Sequence, residues 1–320
     1  MTLAARIYVA GHRGLVGSAL VRQLRARGYA SIITRTHAEL DLQDQGAVRA
    51  FFAKERPEVV CLAAARVGGI LANNTFPAEF IQENLAIQNN VIHEAWRSGV
   101  QRLLFLGSSC IYPRDCPQPI REAYVMTGPL EPTNRPYAMA KLAGLEMCWA
   151  YNRQYGTRFV CAMPTNLYGP GDNYDLQTGH VLPSLIRRFH EARVRGDKTV
   201  TLWGTGSPRR EFLYSDDMAE ACLQLLLTAD EKLATLLPEG QAPLVNIGCG
   251  EDVTIRELAD LAREVVGCSA AILWDHDKPD GTPRKLLDIS RLKLLGWRPT
   301  IGLREGIGLA YADFVSQLKG

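Results

Sequence analysis

Two residues four positions apart, Tyr137 and Lys141, could carry acid–base chemistry in this chain. On a helix, positions four apart share one face, so the lysine can lie beside the phenol and favour its ionised form. A tyrosine tuned in this way can give or take a proton near neutral pH. Ser108 ends an apolar run that is typical of a buried strand, and its hydroxyl could share a substrate oxygen with Tyr137. The three residues together predict proton donation to a carbonyl oxygen.

A glycine-rich turn near the start of the chain could hold a dinucleotide. It follows the apolar run 7–10 and opens a helical segment. Its residues are Gly11, His12, Arg13, Gly14, Leu15, Val16 and Gly17. Glycines at this spacing allow a tight turn that brings a pyrophosphate onto a helix N-terminus. Together with the serine, tyrosine and lysine, the turn predicts hydride transfer from a nicotinamide to a ketone.

The residues after the second predicted strand favour NADP(H) over NAD. NAD-binding chains carry an acidic residue about 20 positions beyond the turn, whereas this chain has Arg35. A guanidinium suits the 2′-phosphate of NADP, and Arg13 could add a second cation to that phosphate. The alternative for Arg35 is a solvated arginine at a strand end. Asp41 and Leu42 could flank the adenine, although Asp41 could instead begin the next helix.

Two further residues, Cys110 and His180, have side chains that can move protons on carbon. A thiol and an imidazole have suitable intrinsic pKa values for chemistry next to a ketone, and a simple reductase needs neither. The alternatives are a buried turn cysteine and a surface loop histidine. From the sequence alone, both interpretations stay open until the whole pattern is considered.

Composition describes a globular protein and excludes several other classes. The chain has 320 residues, 47% of them hydrophobic and 22% charged, with a formal net charge of +2. This charge argues against a nucleic-acid partner, and no stretch reaches the length of a membrane span. The start lacks the apolar core of a signal peptide. The eight cysteines show no spacing of a metal site, so we expect no metal and a reducing, cytoplasmic location.

Apolar runs and helical segments alternate through the first half. The predicted strands cover 7–10, 31–35, 59–63, 103–107 and 159–163, and the predicted helices cover 16–27, 45–54, 80–98, 137–154, 182–191, 216–227 and 254–266. The pattern predicts an α/β fold with a Rossmann-type, doubly wound parallel sheet and a smaller C-terminal α/β substrate-binding domain. We expect residues 1–169 to form the NADP-binding domain and 170–320 to bind mainly substrate, with 216–229 packing back on the sheet.

The motifs of the chain, taken together, resemble the extended short-chain dehydrogenase/reductase family from about residue 7 to residue 311. The stretches that carry the resemblance are 11–17, 63–69, 107–113 (Gly-Ser-Ser-Cys-Ile-Tyr-Pro), 136–141 (Pro-Tyr-Ala-Met-Ala-Lys), 164–170, 210–212 and 278–285 (Lys-Pro-Asp-Gly-Thr-Pro-Arg-Lys). The glycine turn and the Tyr/Lys pair are common to the superfamily. The stretches 107–113 and 278–285, with His180, are similar to the members that act on a GDP-linked keto sugar.

The resemblance implies an activity and the residues that perform it. The implied reaction converts GDP-4-keto-6-deoxy-D-mannose to GDP-L-fucose, by inversion at C3 and C5 and reduction at C4 by NADPH. Cys110 would act as base and His180 as acid during inversion, and Tyr137 would donate the proton during reduction. Ser108 and Tyr137 could stabilise the enolate and later the alkoxide, with Lys141 completing the catalytic set.

The resemblance also implies binding residues and a homodimer. Beyond the turn at 11–17, the implied cofactor contacts are Arg35, Asp41, Leu42, Leu106, Gly107, Ser108, Ser109, Tyr137, Lys141, Pro164, Thr165, Asn166, Leu167 and His180. The implied contacts to the GDP-sugar are Arg188, Trp203, Arg210 and Asp280. Arginines suit a diphosphate, and the indole could pack on guanine or ribose. Members of the family commonly pair through two helices of the nucleotide domain, here 80–98 and 137–154.

Two other functions fit the sequence less well. A sugar-nucleotide 4-epimerase, 4,6-dehydratase or simple 4-reductase would share the fold. The epimerase and the dehydratase would hold NAD tightly and recycle it. Arg35 and the absence of an acidic pair near Ser108 argue against both. A non-catalytic dinucleotide sensor would be expected to lose Tyr137 or Lys141, and both are present. Two observations discriminate among these functions. NAD that stays bound in the purified protein would favour the epimerase or dehydratase, whereas a gain in thermal stability from added NADPH would favour the reductase.

Overall fold

The structure, a computed structural model, describes residues 2–278 and 280–318. Its strands are β1 Ile7–Ala10, β2 Ile32–Ile33, β3 Val59–Leu62, β4 Arg102–Leu106, β5 Arg158–Pro164, β6 Asn166–Tyr168, β7 Thr199–Trp203, β8 Arg209–Arg210, β9 Phe212–Tyr214, β10 Leu244–Ile247, β11 Val253–Thr254, β12 Ala271–Asp275 and β13 Arg284–Lys285. Six of them form one parallel sheet in the order β10-β5-β4-β3-β1-β2. The predicted parallel sheet is therefore confirmed.

Helices cover both faces of this sheet. The helices among the described residues are α1 Leu15–Ala26, α2 Gln45–Glu55, α3 Ile70–Thr75, α4 Pro77–Arg97, α5 Arg135–Tyr155, α6 Val181–Arg195, α7 Ser215–Leu227, α8 Asp230–Leu236, α9 Ile255–Val266, α10 Ser290–Lys293 and α11 Leu303–Gln317. Side chains alternate along each strand, so Val9 joins the core under α1 and α7, and Tyr8 joins the core under α2, α4 and α5. The sheet is doubly wound.

A third, smaller core lies in the C-terminal part. It is built from α6, α9 and α11 with strands β7 and β9, and Phe189 is fully buried at its centre. Short strands flank it in three small sheets: β11-β8-β13, β12-β7 and β6-β9. The helix α9 begins with a capping box, in which Thr254 and Glu257 bond each other's backbone N–H groups. The predicted boundary at residue 169 stays a prediction.

Several predicted bounds were wrong in detail. The second strand, expected over 31–35, is only Ile32–Ile33, an edge strand that pairs with β1 alone. The helix expected from residue 80 starts at Pro77, because a proline fits the first turn of a helix. The helix expected to end at 191 continues to Arg195, where Gly196 with a φ of 72° ends it. The strand β10 was not predicted.

The sheet brings the predicted site residues to one edge. Because the strands are parallel, the carboxyl ends of β1, β4 and β5 all point the same way, and the residues that follow them line that edge. Among the described residues, no helix combines the length and the apolar composition that a membrane span needs.

Candidate active site

The glycine turn is built for close backbone approach. Gly11 follows β1 with a φ of 81°, and a Cβ there would lie 2.7 Å from the Ala64 nitrogen. A Cβ on Gly17 would lie 2.1 Å from the Gly11 oxygen. Within the part of the chain that the structure describes, no side chain caps the start of α1 at Gly14. The first-turn N–H groups of α1 therefore face a cradle that suits a phosphate.

Other predicted cofactor residues follow the neighbouring strands β4 and β5. Gly107 donates its N–H to the Ala162 carbonyl at 2.9 Å, and a Cβ there would overlap the Met163 side chain. Leu106 ends β4, Pro164 ends β5, and Asn166 and Leu167 begin β6. Thr165 and Asn166 both donate side-chain hydrogen bonds to the Glu211 carbonyl. These residues and the glycine turn lie along the same edge of the sheet.

Arg35, which follows β2 and was expected to be available to a 2′-phosphate, has an acidic partner in the structure. The Arg35 guanidinium donates to the Glu55 carboxylate at 2.7 Å and to the Thr34 carbonyl, so it is already paired in this structure. Arg13 is exposed in the turn, and both arginines contribute to lowering the pKa of Glu39, after its stronger bonds from Thr36. Arg13 and Arg35 thus converge near one acidic side chain. Contact of Arg35 with a 2′-phosphate stays a prediction.

The remaining predicted cofactor residues, His12, Asp41, Leu42 and Ser109, differ in burial and in hydrogen bonding. His12 Nδ1 is buried, and no partner for it is found among the described residues. Asp41 Oδ1 accepts the Gln43 N–H at 2.9 Å and lies 3.8 Å from His37 Nδ1. Leu42 is buried in the core, and its carbonyl accepts a hydrogen bond from Asn90. Ser109 begins the short 3₁₀ helix Ser109–Ile111.

Ser108 connects the two predicted chemistries. It precedes the short 3₁₀ helix at the end of β4, and its hydroxyl accepts the Cys110 N–H at 3.4 Å. The Ser108 hydroxyl also acts to lower the pKa of the Tyr137 phenol and of the Cys110 thiol, against the larger effect of burial. The sequence placed these three residues in one pocket, and the structure brings them together around one hydroxyl.

Lys141 lies one turn after Tyr137 on α5, as the spacing predicted. Its ammonium is buried, donates to the Leu106 carbonyl at 2.8 Å and lies 5.8 Å from the centre of the Tyr137 ring. Burial lowers the pKa of Lys141 to about 8. Burial also raises the pKa of Tyr137 well above its ordinary value, followed by repulsion from Cys110, while the Ser108 bond opposes the rise. Ionisation of the phenol by Lys141 stays a prediction.

The pKa values of Cys110 and His180 both shift in the direction that favours the neutral side chain. Burial raises the pKa of the Cys110 thiol, and Lys285, the Ser108 hydrogen bond and Lys141 oppose this in decreasing order. His180 is the N-cap residue of α6 and is exposed. The surrounding protein nevertheless lowers the pKa of its imidazole by desolvation. The thiol must lose its proton before it can act as a base, and the positive charges of Lys285 and Lys141 favour the thiolate.

Lys285 is a site residue that the sequence analysis did not assign. It lies in β13, which pairs with β8 so that Lys285 is opposite Arg210. Burial lowers the pKa of Lys285, and Cys110 is the largest influence that opposes this. The residue ends the motif at 278–285, which was the one signal available. Of that motif, Pro279 lies outside the described residues.

The four predicted substrate residues surround the smaller core. Trp203 ends β7 with 69% of its surface exposed, and the Lys278 ammonium lies 5.7 Å from its ring centre. The Asp280 carboxylate accepts the N–H and the hydroxyl of Thr205 at 3.0 and 2.6 Å. Burial lowers the pKa of Arg210 in β8. An exposed indole and a desolvated guanidinium suit a nucleobase and a diphosphate.

Arg188 lies on α6 and lines a groove of about 340 Å³ between α6 and β7. Arg188 is on α6 and Trp203 is on β7, the two elements that form this groove. Across the described ranges, no group of three or more His, Cys, Asp or Glu side chains could hold a metal ion. The candidate site offers hydroxyl, thiol, imidazole and ammonium groups.

The chain is similar to known proteins, in sequence and in fold, along nearly its whole length. GDP-L-fucose synthase 1 of Arabidopsis thaliana is 56% identical over 308 residues, which cover 96% of this chain and 92% of that protein. The GDP-L-fucose synthase of Escherichia coli (strain K12) is 51% identical over 313 residues, 97% of this chain and 96% of that protein. The structure of a GDP-L-fucose synthetase from Naegleria fowleri bound to NADP matches with a TM-score of 0.89 and 25% identity, over 100% of this chain and 96% of that chain.

Residues 7–248 match the NAD dependent epimerase/dehydratase family. This range contains the glycine turn, the Ser108–Cys110 turn, the Tyr137/Lys141 helix and His180. The motif-based resemblance to dinucleotide-dependent reductases and the doubly wound sheet agree with that match. The chain belongs to the NAD dependent epimerase/dehydratase family.

Proposed function

We propose that the chain converts GDP-4-keto-6-deoxy-D-mannose to GDP-L-fucose, by inversion at C3 and C5 followed by reduction at C4 with NADPH. The observation that carries this proposal is the position of the Ser108 hydroxyl, which accepts the Cys110 N–H at 3.4 Å and opposes the rise in the pKa of both the Tyr137 phenol and the Cys110 thiol. One hydroxyl thus joins a proton donor for reduction to a base for inversion. The Arabidopsis and Escherichia coli relatives, which are synthases of GDP-L-fucose by name, support the same substrate class.

Both reactions use the C4 ketone. The ketone acidifies the C–H bonds at C3 and C5, so Cys110 can remove a proton there, and His180 can return one from the opposite face. The hydroxyls of Ser108 and Tyr137 stabilise the enolate oxygen at C4. After inversion, Tyr137 donates its proton to the same oxygen as the carbon is reduced. One oxygen-binding pair therefore serves all three steps.

The residues present fit NADPH. The Gly11–Gly17 cradle leaves room for a pyrophosphate, and the exposed Arg13, together with Arg35, can meet a 2′-phosphate. The buried Nδ1 of His12, for which the described residues offer no partner, is a polar atom that a bound group could satisfy. When bound, NADPH supplies the hydride that the C4 ketone accepts.

The C-terminal part of the chain binds the GDP moiety in this proposal. Arg188 and Arg210 pair with the diphosphate, and Trp203 packs on the guanine or ribose. Asp280 holds the loop through Thr205, and we assign it a contact with the sugar nucleotide. Residues 1–169 and 170–320 act as the two domains of this arrangement, with the reacting sugar between them.

We also infer a cytoplasmic homodimer. Two adjacent helices of the nucleotide domain, α4 and α5, would form the contact, and Met139 and Tyr155 on α5 are exposed apolar side chains. All eight cysteines are free thiols, which suits a reducing compartment. Light scattering on the purified protein tests the dimer, and a monomeric mass would contradict it.

The function is tested by mixing the protein with NADPH and GDP-4-keto-6-deoxy-D-mannose. We expect NADPH absorbance to fall and NMR to identify the product as GDP-L-fucose. Reduction without inversion would leave a simple 4-reductase and return Cys110 and His180 to structural roles. Absence of NADPH consumption would contradict the proposed reaction.

A further inference from the structure

The loop that leads to His180 is folded around the carboxylate of Asp175. Asp175 Oδ1 accepts the N–H groups of Gln177 and Thr178 at 3.0 and 2.9 Å, and the Thr178 hydroxyl at 2.9 Å. The bonds from Thr178, with that from Gln177, hold the pKa of Asp175 below its ordinary value. The side chain of Asp175 is exposed. A single surface carboxylate therefore organises the turn before the predicted acid.

The turn leaves the backbone little freedom. The Asn173 side chain accepts the Asp175 N–H at 3.0 Å and donates to the Thr178 hydroxyl at 3.0 Å. A Cβ on Gly179 would lie 2.5 Å from the carbonyl oxygens of Asn173 and Asp175. His180 follows at once and accepts the Ser184 N–H at 3.1 Å in the first turn of α6. The backbone of His180 is thus positioned by the turn on one side and by the helix on the other.

One side of the turn is anchored in the C-terminal core. The Tyr174 side chain is buried, and its hydroxyl donates to the Ala310 carbonyl at 2.8 Å. Its ring centre lies 4.7 Å from that of Phe314 on α11. Tyr174 immediately precedes Asp175, so the turn starts from a point fixed in the core.

The other side of the turn is bonded to the nucleotide-binding part. The Gly69 N–H donates to the Thr178 carbonyl at 3.2 Å. The neighbouring Gly68 packs closely on Phe80, since a Cβ there would lie 3.2 Å from the ring. The Phe80 ring in turn meets the Tyr137 ring edge to face, with 6.2 Å between centres. A continuous series of contacts joins the His180 turn to the predicted proton donor.

We propose that Asp175 is a positioning residue for His180: its bonds to Thr178 hold the turn against Gly69 and so fix the imidazole on the face of the sugar opposite Cys110. This role rests on the proposed function. In that function Cys110 takes a proton from C3 or C5, and His180 adds one to the other face of the enolate. Displacing His180 lets the Cys110 thiol, after exchange with solvent, return a proton to the original face. The carbon then exchanges its hydrogen without inversion.

The test measures how the enolate partitions. Asp175→Ala is incubated with GDP-4-keto-6-deoxy-D-mannose and NADP⁺ in deuterated water, and NMR compares deuterium in uninverted sugar with deuterium in inverted sugar. We expect the ratio of uninverted to inverted label to rise at least about tenfold over wild type. Asp175→Asn keeps the acceptor oxygen and should return the ratio close to that of wild type.

Glu257→Ala is the matched control. Glu257 accepts the N–H and the hydroxyl of Thr254 at 2.8 and 2.9 Å, which are the same two kinds of bond that Asp175 accepts from Thr178. It caps α9 and has no place in the proposed site. We expect its partition ratio to equal that of wild type.

A double variant makes the test specific to His180. Because Asp175 acts through the imidazole, Asp175→Ala should add no further change to the ratio of His180→Gln. If Asp175→Ala fails to fold, Thr178→Val, which removes the hydroxyl and keeps the N–H, carries the same measurement. A wild type that inverts while Asp175→Ala keeps the wild-type ratio would overturn this role alone. A wild type that neither exchanges nor inverts would overturn the proposed function and this role with it.

Discussion

Lys285 is the charge that most favours the thiolate of Cys110. Burial raises the pKa of this thiol, and the attraction of the Lys285 ammonium is the largest influence that lowers it. Lys285 is held in place by contacts with residues that are distant in sequence. Its strand β13 pairs with β8. The next two residues, Leu286 and Leu287, donate their N–H groups to Gln118 and Glu211. Lys285 is therefore fixed between the substrate strand β8 and the segment that follows Cys110.

Replacing Lys285 by methionine should therefore weaken the base. Removing the positive charge raises the pKa of Cys110 further, so less thiolate is present at neutral pH. We expect solvent exchange at C3 and C5 to slow on the order of tenfold at pH 7 and its rise with pH to move to higher pH. NMR-detected deuterium exchange between pH 6 and 9 measures this. Lys285→Arg keeps the charge and serves as the control, and an unchanged profile for Lys285→Met would contradict the effect.

Tyr137→Phe should separate the two reactions. The substitution removes the proton donor for the alkoxide and leaves the thiol and imidazole in place, so we expect reduction to fall by about 10²–10⁴-fold. Exchange at C3 and C5 should continue at a lower rate, because Ser108 still contacts the C4 oxygen. NADPH absorbance and deuterium incorporation report the two activities separately. Reductase activity equal to wild type would exclude Tyr137 as the donor.

Arg35→Ala tests the choice of NADPH. If the guanidinium leaves Glu55 to meet the 2′-phosphate, its loss should weaken NADPH binding by tenfold or more and leave NADH binding little changed. Calorimetric titration with each dinucleotide measures the two affinities. Glu55→Gln is the companion variant, because it frees Arg35 from its 2.7 Å ion pair and should leave NADPH affinity equal or higher. Equal losses for the two dinucleotides in Arg35→Ala would place Arg35 outside the phosphate site.

Glu211→Gln tests a buried connection behind the site. The Glu211 carboxylate is fully buried and accepts the N–H groups of Gly250 at 2.6 Å and Leu287 at 3.1 Å. An amide has only one acceptor oxygen, so it leaves one buried N–H unsatisfied. We expect the free energy of unfolding to fall by about 1–3 kcal/mol in denaturant titration.

The exposed pair of Glu264 and Arg304 provides the control for Glu211. Both side chains are more than half exposed, and Glu264→Gln should leave the free energy of unfolding close to that of wild type. Similar losses for Glu211→Gln and Glu264→Gln would show that the buried bonds add little.

Local patterns were sufficient for the parts of the site that depend on local geometry. The turn at Gly11 and the shared face of Tyr137 and Lys141 follow from spacing along the chain, because a tight turn and a helix both relate neighbouring residues. The match of predicted and observed bounds for β1 has the same origin. Family resemblance added Cys110 and His180, whose own sequence context left a structural role open.

Contacts between distant segments could not be read from the sequence. Arg35 pairs with Glu55, 20 positions away, and Glu211 bonds the N–H of Leu287, 76 positions away. Nothing in local periodicity records such partners, since they depend on how strands are ordered in space. The edge strand β2 was overestimated for a related reason: pairing on one side only gives few bonds to extend it.

The most direct test of the account is the position of deuterium in the product formed in deuterated water with unlabelled NADPH. Two inversions and one reduction predict GDP-L-fucose with solvent deuterium at both C3 and C5 and hydrogen from the cofactor at C4. A reduced product with its original C3 and C5 configuration and no deuterium at either carbon would contradict the central claim.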